Sequence, residues 1–469
     1  MTFLLHNTAS GGKEEFEPLE PGHVRLYTCG PTVWNFAHIG NFRTFLFYDL
    51  LRRHLRFSGY RLTHVVNITD IEDRIISHAT ERGVSIREYA GPYEEAFLED
   101  LATIRFQGVE VMPRATEHVP EMVAMVEKLL AKGNAYQADA DVYYRVSSFP
   151  RYGELAHLDR AGLKAGARVA ADDYDKEDVV DFALWKGEQP GEAAVGAVWE
   201  APFGRGRPGW HIECSAMSLK YLGPTFDIHA GGIDLLFPHH QNEVAQSEAA
   251  NEAPLARVWL HSEHLADATG AKMSKRLGNV ATLRDLLDAG HDPVAIRFFL
   301  LASAHYRQKL RLDETGIRAA AEQVRRLRDF AARVDRSQPA PADDPFLVQE
   351  LEDARHHYRA ALDDDLNLPQ AVGYLFDAVR EANAGLDQGR AGPAALAAMR
   401  VLLDDADQHL DVLKEEDRSL EAEVERLIAE REAARAARDF ARADAIREEL
   451  KARGISLEDT KEGVRWRPA

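Results

Sequence analysis

The chain has 469 residues, 45% hydrophobic and 29% charged, with a formal net charge of −20. That length exceeds what one growing core supports, and the composition suits a soluble globular protein of two to four domains. No apolar run reaches the roughly 18 residues of a membrane span, and the acidic balance argues against non-specific affinity for nucleic acid, though not against a local basic surface. The N-terminus has no basic region followed by an apolar stretch, so no secretory signal is expected. Two cysteines cannot build a disulfide framework, which points to a reducing cytoplasm.

Residues 24–28 are predicted to form a short buried strand. A Gly-Pro loop follows, and then a helix whose apolar positions Phe42, Phe45, Leu46, Leu50, Leu51 and Leu55 keep a helical period up to Gly59. Leu62 to Ile68 is the next predicted strand, and a second helix is expected from Asp70 to Gly83. Strand, helix, strand with a short return implies a right-handed parallel unit and so an α/β sheet. From about 114 to 199 the pattern changes to one helix (Val119 to Lys132), a strand (Val142 to Val146) and a polar stretch, which we take as an insertion. The sheet pattern resumes after Gly209, with Phe226 to Ile228 as a strand and Pro238 in the first turn of a helix. Asp292-Pro293 is a helix start, and the chain is almost wholly helical from there. Residues 337–345 form a loop between helices, 417–419 mark a boundary, and 420–469 are predicted as one long helix with a compact end around Val464 and Trp466.

Cys29 and Cys214 each lie in a dense polar motif, and His239 and Glu243 stand at helical i, i+4 spacing. Together they make a zinc site assembled from three distant segments. Taken alone, the same residues also fit two buried structural thiols beside a surface His/Glu pair. Two further motifs bracket this set. His38-Ile39-Gly40-Asn41 opens a helix after the first strand, where free amides and the helix dipole favour phosphate. Gly40 would let a flat base approach the backbone. Lys272, Lys275 and Arg276 place three cations within five residues, in a loop able to close on a triphosphate and neutralise leaving pyrophosphate.

These two motifs, in this order and about 230 residues apart, resemble those of class I aminoacyl-tRNA synthetases. Residues 27–33, 67–71, 181–186, 209–214, 227–229 and 237–240 resemble the cysteinyl-tRNA synthetase family, and the likeness runs from about residue 4 to the C-terminus. The resemblance implies a Rossmann-like parallel-sheet catalytic domain (1–113 and 200–255), split by a connective insertion (114–199). A stem-contact region with the lysine loop (256–310), an anticodon-binding helical bundle (311–416) and a small tRNA-binding domain (417–469) would follow. It implies one Zn2+ on Cys29, Cys214, His239 and Glu243, with the substrate thiolate becoming a ligand, and Mg2+ with ATP. It assigns His38, Gly40, Asn41, Asp234, Lys272 and Lys275 to ATP, with His38, Asn41 and the two lysines catalytic. Thr69, Trp210 and His229 are assigned to the cysteine pocket.

The expected partners are L-cysteine, ATP and tRNA(Cys), with no membrane, and a monomer is expected. Three departures stand out. Arg276 stands where the family usually has Ser, Trp34 to Ala37 differ from the usual Tyr-Asp context, and Gln241 replaces a common Glu. Two rival readings remain at this point. One is a ligase that passes activated cysteine to a small amine. The other is an inactive paralogue that binds zinc or RNA. The C-terminal region and the retained motifs argue against both.

Overall fold

The computed structural model describes residues 2–158, 181–267, 281–414, 418–436, 439–452, 455–460 and 463–468. An antiparallel pair, β1 (Leu4–Asn7) with β2 (Gly12–Glu15), precedes a central four-stranded, fully parallel sheet in the order β10-β9-β3-β4. The strands are β3 (His23–Thr28), β4 (Arg61–Val66), β9 (Phe226–Gly232) and β10 (Ala256–Ser262). Each is largely buried, as parallel strands covered on both faces must be. Helix α1 (Ile39–Phe57) links β3 to β4 and buries Phe42, Leu46, Leu51 and Leu55 completely. It starts three residues before the expected apolar run, because His38 and Asn41 form a capping box that extends the first turn.

Two differences from the predicted elements concern the site directly. The strand expected to reach Ile68 ends at Val66, and the side chains of Asn67 and Thr69 turn instead to hydrogen bonds with each other, with the Gly30 N–H and with Glu213. Helix α2 (Asp73–Arg82) begins at Asp73 with Glu72 as its cap. Asp70, the expected start, is instead drawn away by the backbone N–H and hydroxyl of Thr116, at 2.9 and 2.5 Å. Helix α3 (Ile86–Thr103), which the sequence pattern did not single out, packs beside α2.

Residues after α3 contain the expected helix α4 (Val119–Ala131) but more strand than expected. Strands β5 (Ala135–Ala138), β6 (Asp141–Tyr144), β7 (Phe182–Gly187) and β8 (Gly206–Pro208) form an antiparallel sheet in that order. These strands are three to six residues long, too short to show a period. Helix α5 (Trp210–Leu222) follows, and then β9. Pro238 does not sit in a regular first turn. Phe237 is extended, and helix α6 (Gln241–Asn251) starts three residues later. Beyond β10, Asp292 caps the helix at Pro293–Ala302 by accepting from the Val294 N–H, as its sequence predicts. Helices Glu314–Arg336, Pro345–Asp363, Leu368–Asp387 and Pro393–Leu410 complete the unit that ends at Asp411.

The second unit, Val412–Ala469, has helices Arg418–Ala436 and Phe440–Ala452 and an antiparallel hairpin, Ile455–Thr460 with Gly463–Pro468. The single helix predicted there is two, because Asp439 accepts from the Arg442 N–H and starts a new one. Leu427, Ile446, Leu450 and Ile455 form its core.

Within the larger unit, His409 is fully buried and bridges to α1. Its Nδ1–H donates to the Asp405 carbonyl, leaving Nε2 to face His54 Nδ1 at 3.2 Å. Burial pulls its pKa down to about 3. The unfolded chain takes up this proton below about pH 6.5, while the folded one does not until about 3. The associated stability is therefore intact above pH 6.5 and is lost progressively as pH falls towards 3. Urea titrations from pH 7 to 5 should show falling stability, with a slope shallower by as much as ~1.4 kcal/mol per pH unit in His409→Gln.

Candidate metal centre and active-site pocket

The sheet's strand ends and α1 enclose a pocket of about 460 Å3. Cys29 is the residue just past β3, and its successor must be glycine. A Cβ at Gly30 would lie 1.5 Å from the Asn67 carbonyl oxygen. Gly30 N–H donates instead to Asn67 Oδ1 at 3.0 Å, which fixes the turn. Cys214 comes from α5, while His239 precedes α6 and Glu243 lies in its first turn. Cys29, Cys214, His239 and Glu243 are all buried, and their ligand atoms lie within 4.8 Å of one another. The two sulfurs are 3.9 Å apart, and His239 Nε2 is 3.1 Å from Glu243 Oε1. A tetrahedral ion with metal–sulfur bonds of about 2.3 Å would separate two thiolates by about 3.8 Å. The observed spacing fits that geometry.

The electrostatics fit it as well. Burial opposes ionisation of Glu243, but His229 and His239 hold its carboxyl down at about 2. Burial likewise opposes charge on His239, yet Glu243 and Cys214 raise it to about 10. Burial pushes the Cys29 thiol up, while the hydrogen bond from Cys29 favours the thiolate of Cys214. Buried anions thus hold a buried cation, and a metal ion could take the place of those protons.

A second set, Cys29, His229, His240 and Glu243, also converges. His240 Nε2 lies 3.3 Å from Cys29 Sγ, and a relay runs from His240 through His261 to Thr8. Cys29, Cys214 and His239 line the pocket, whereas His229 and His240 stand fully buried behind it. The first set thus has three members on the pocket wall, and the second only Cys29.

Thr69, Trp210 and Asp234 line the pocket, as do His38 and Asn41. Thr69 donates to Glu213 at 2.9 Å, and burial beside the Cys214 thiolate raises that carboxyl. Trp210 is 38% exposed and stacks on His239, centroid to centroid 4.3 Å. His229 reaches the site through Glu243, at 2.9 Å, with its ring stacked on Trp259. At Gly40 an added Cβ would approach His38 Nδ1 to 3.0 Å and Leu265 Cβ to 3.5 Å. The α1 terminus offers fewer bare amides than its sequence suggests. Asn41 N–H donates to His38 Nδ1 and Ile39 N–H to the Ala281 carbonyl. Lys272, Lys275 and Arg276 lie outside the described residues. Their flank does not, and Thr282 bridges to His38. The chain after the second motif is thus fastened to the first.

Sequence reasoning missed several residues here. Asn67 orders the Cys29 turn and lies 3.7 Å from Cys214 Sγ. His211 meets His239 at 3.0 Å, and His240 and His261 form the buried relay. Tyr27 is fully buried beside both cysteines, and its phenol is raised by burial and by their charge. The adjacent His239-His240 doublet was the one available signal.

The fold and the paired motifs define a class I aminoacyl-tRNA synthetase. Residues 15–322 match the family described as tRNA synthetases class I (C) catalytic domain. Residues 357–414 match a DALR domain, and residues 417–467 a cysteinyl-tRNA ligase anticodon binding domain. The cysteine–tRNA ligase of Solibacter usitatus is 47% identical, with all of both chains covered. That of Symbiobacterium thermophilum is 46% identical, again over the whole of both. Among solved structures, Mycobacterium tuberculosis methionyl-tRNA synthetase with methionyl-adenylate superposes with a TM-score of 0.63 at 14% identity. That match covers 83% of this chain and 91% of the other. An Agrobacterium radiobacter leucyl synthetase–tRNA complex gives 0.61 at 12% identity, covering 85% of each. These two likenesses concern the fold. The chain belongs to the cysteine–tRNA ligase family and is an aminoacyl-tRNA synthetase.

Proposed function

We propose that the protein activates L-cysteine with ATP to cysteinyl adenylate and transfers the cysteinyl group to the 3′-terminal adenosine of tRNA(Cys), with a zinc ion selecting the substrate thiol. The observation that carries this reading is the buried Cys29, Cys214, His239, Glu243 set with three of its members on the pocket wall. Zinc is borderline soft and binds thiolate at neutral pH, while a serine hydroxyl stays protonated and binds poorly. That difference matters, because a pocket relying on shape alone separates near-isosteres only modestly. Thr69 and Trp210 would hold the amino acid. His229 would act on it indirectly, by orienting Glu243.

His38 and Asn41 would meet phosphate oxygens through their side chains, two of the nearby amides being already bonded. Gly40 leaves room for the adenine, Asp234 would take the ribose, and Lys272 and Lys275 would stabilise charge on the leaving pyrophosphate, with Mg2+ accompanying ATP. Catalysis on this reading is positioning and electrostatics. Two thiols 3.9 Å apart must stay reduced to hold a metal, which supports a cytoplasmic location; a monomer completes the reading. Cysteine-dependent ATP–pyrophosphate exchange, followed by tRNA charging, tests it. Exchange with serine at a comparable rate would contradict the selecting role of zinc.

The tRNA would be held by the bundle at 311–416 and by the domain at 417–469. Across 431–469 ten Lys/Arg face eight Asp/Glu, mildly basic within an acidic chain. Deleting residues 412–469, a separate compact unit, should leave exchange intact and raise the Michaelis constant for tRNA. The salt dependence of tRNA binding should become shallower, since fewer phosphates are neutralised. A folded truncation with unchanged charging kinetics across salt would contradict this.

A further inference from the structure

The mouth of the pocket carries a band of rings that neither the metal site nor the ATP residues use. Trp34 stacks on His78 at 6.2 Å and 12° between planes. His78 stacks on Tyr89 at 5.6 Å, Tyr89 packs on Tyr93 at 5.5 Å, and Tyr93 meets Phe36 edge-on at 5.3 Å. The Tyr89 hydroxyl donates to the Trp34 carbonyl at 2.9 Å, so the middle of the band is tied to its Trp34 end. Guanidinium groups lie over three of the rings: Arg74 over Trp34 at 4.5 Å, Arg82 over Tyr89 at 5.0 Å and Arg284 over Phe36 at 5.5 Å.

The band is rigid at its base and open at its edge. Tyr89 is 6% exposed, whereas Phe36 is 41% exposed. Trp34, Phe36, Arg74 and Tyr93 also line the pocket that holds Cys29, His38 and Asp234. The exposed part of the Phe36 ring is a surface on which a flat, aromatic group can lie. Arg74 is paired with Glu72, and Arg284 with Glu99 and Asp100. Two of the three guanidinium charges are thus balanced by carboxylates, and the grip of the band would come from stacking more than from charge.

We propose that this band is a stacking platform for the unpaired 3′ end of the tRNA acceptor arm. The inference rests on the functional reading above. If the chain charges tRNA, the terminal adenosine must enter this pocket, and the nucleotides before it must cross its mouth. Unpaired nucleotides expose the faces of their bases, and proteins hold such strands by stacking them on aromatic rings and guanidinium planes. Adenine of ATP is the competing occupant, and the test separates the two.

Phe36→Ala is the main variant, because the ring is substantially exposed and its loss should leave the fold intact; Trp34→Ala is the second, and Phe36→Tyr keeps a ring as control. Binding is measured with a full-length tRNA transcript and with one lacking its unpaired 3′ nucleotides. Phe36→Ala should weaken full-length binding roughly five- to hundredfold, the range for one stacked base. It should leave the truncated transcript and the salt slope unchanged, and Phe36→Tyr should restore affinity. Cysteine-dependent ATP–pyrophosphate exchange should keep its rate and its Michaelis constant for ATP. Equal loss for both transcripts, no loss for either, or a raised Michaelis constant for ATP would each overturn the proposal. A wild-type protein that supports exchange but charges no tRNA would overturn the functional reading instead, before any variant is made.

Discussion

Cys214→Ser should leave the purified protein with substoichiometric metal and lower cysteine-dependent pyrophosphate exchange by at least about a hundredfold. Changing only the outer partners of a metal site costs 10–100-fold in affinity or activity, so losing a ligand should cost more. The sulfur of Cys214 lies 3.9 Å from that of Cys29, and the hydrogen bond between them favours its ionisation. Serine supplies no thiolate at neutral pH, and its hydroxyl oxygen stops short of where the larger sulfur reaches. The variant also decides between the two converging ligand sets. The alternative set uses Cys29, His229, His240 and Glu243, and does not need Cys214. Stoichiometric metal retained in Cys214→Ser but lost in His240→Gln would place the ion in that second set.

Lys275→Ala should slow adenylate formation by about 10²–10³, the loss of roughly 2.7–4 kcal/mol typical for one contact made to transition-state charge. Cysteine affinity should hardly change, because the proposed thiol site lies among Cys29, Cys214 and His239, which line the pocket wall. The residues directly after the lysine motif are fastened to the first motif, Ala281 to Ile39 and Thr282 to His38. Ala281 and Thr282 thus lie next to the α1 terminus, where the phosphates are proposed to sit. Exchange kinetics and equilibrium cysteine binding check this together. A fall in cysteine affinity as large as the fall in exchange rate would show that the lysine acts on the amino acid.

The α/β character was legible because β3, α1 and β4 carry strong local patterns, and Asp292-Pro293 was legible because a cap followed by proline is itself a local signal. The short strands around the insertion were not. β8 has three residues, two of them glycine and proline, and it exists only because β7 lies beside it. The break between the last two helices was missed because Asp439, a side chain that competes for backbone N–H groups, lies inside an otherwise helix-forming run.

The four proposed ligands could be picked out because cysteine is scarce here and because His239 and Glu243 keep helical spacing. Their surroundings could not. The partners of His211 and His229, which are His239 and Glu243, come from other elements, beyond the reach of a local pattern. Nor does the local sequence show that Asn67 would leave its strand to brace the Cys29 turn. The capping of α1 is an intermediate case. Its residues were visible, but a capping box also consumes an amide that is then not open to phosphate.

Cys29, Cys214, His239 and Glu243 are proposed to hold a metal ion that meets the substrate's sulfur. Cobalt(II) in place of zinc makes that contact visible, because each thiolate ligand adds near-ultraviolet charge-transfer absorption. With the cobalt-loaded wild-type protein, adding L-cysteine should raise this absorption in a saturable way, and L-serine should leave it unchanged. A spectrum that does not respond to saturating cysteine, in protein that carries stoichiometric cobalt and supports exchange, would contradict the account.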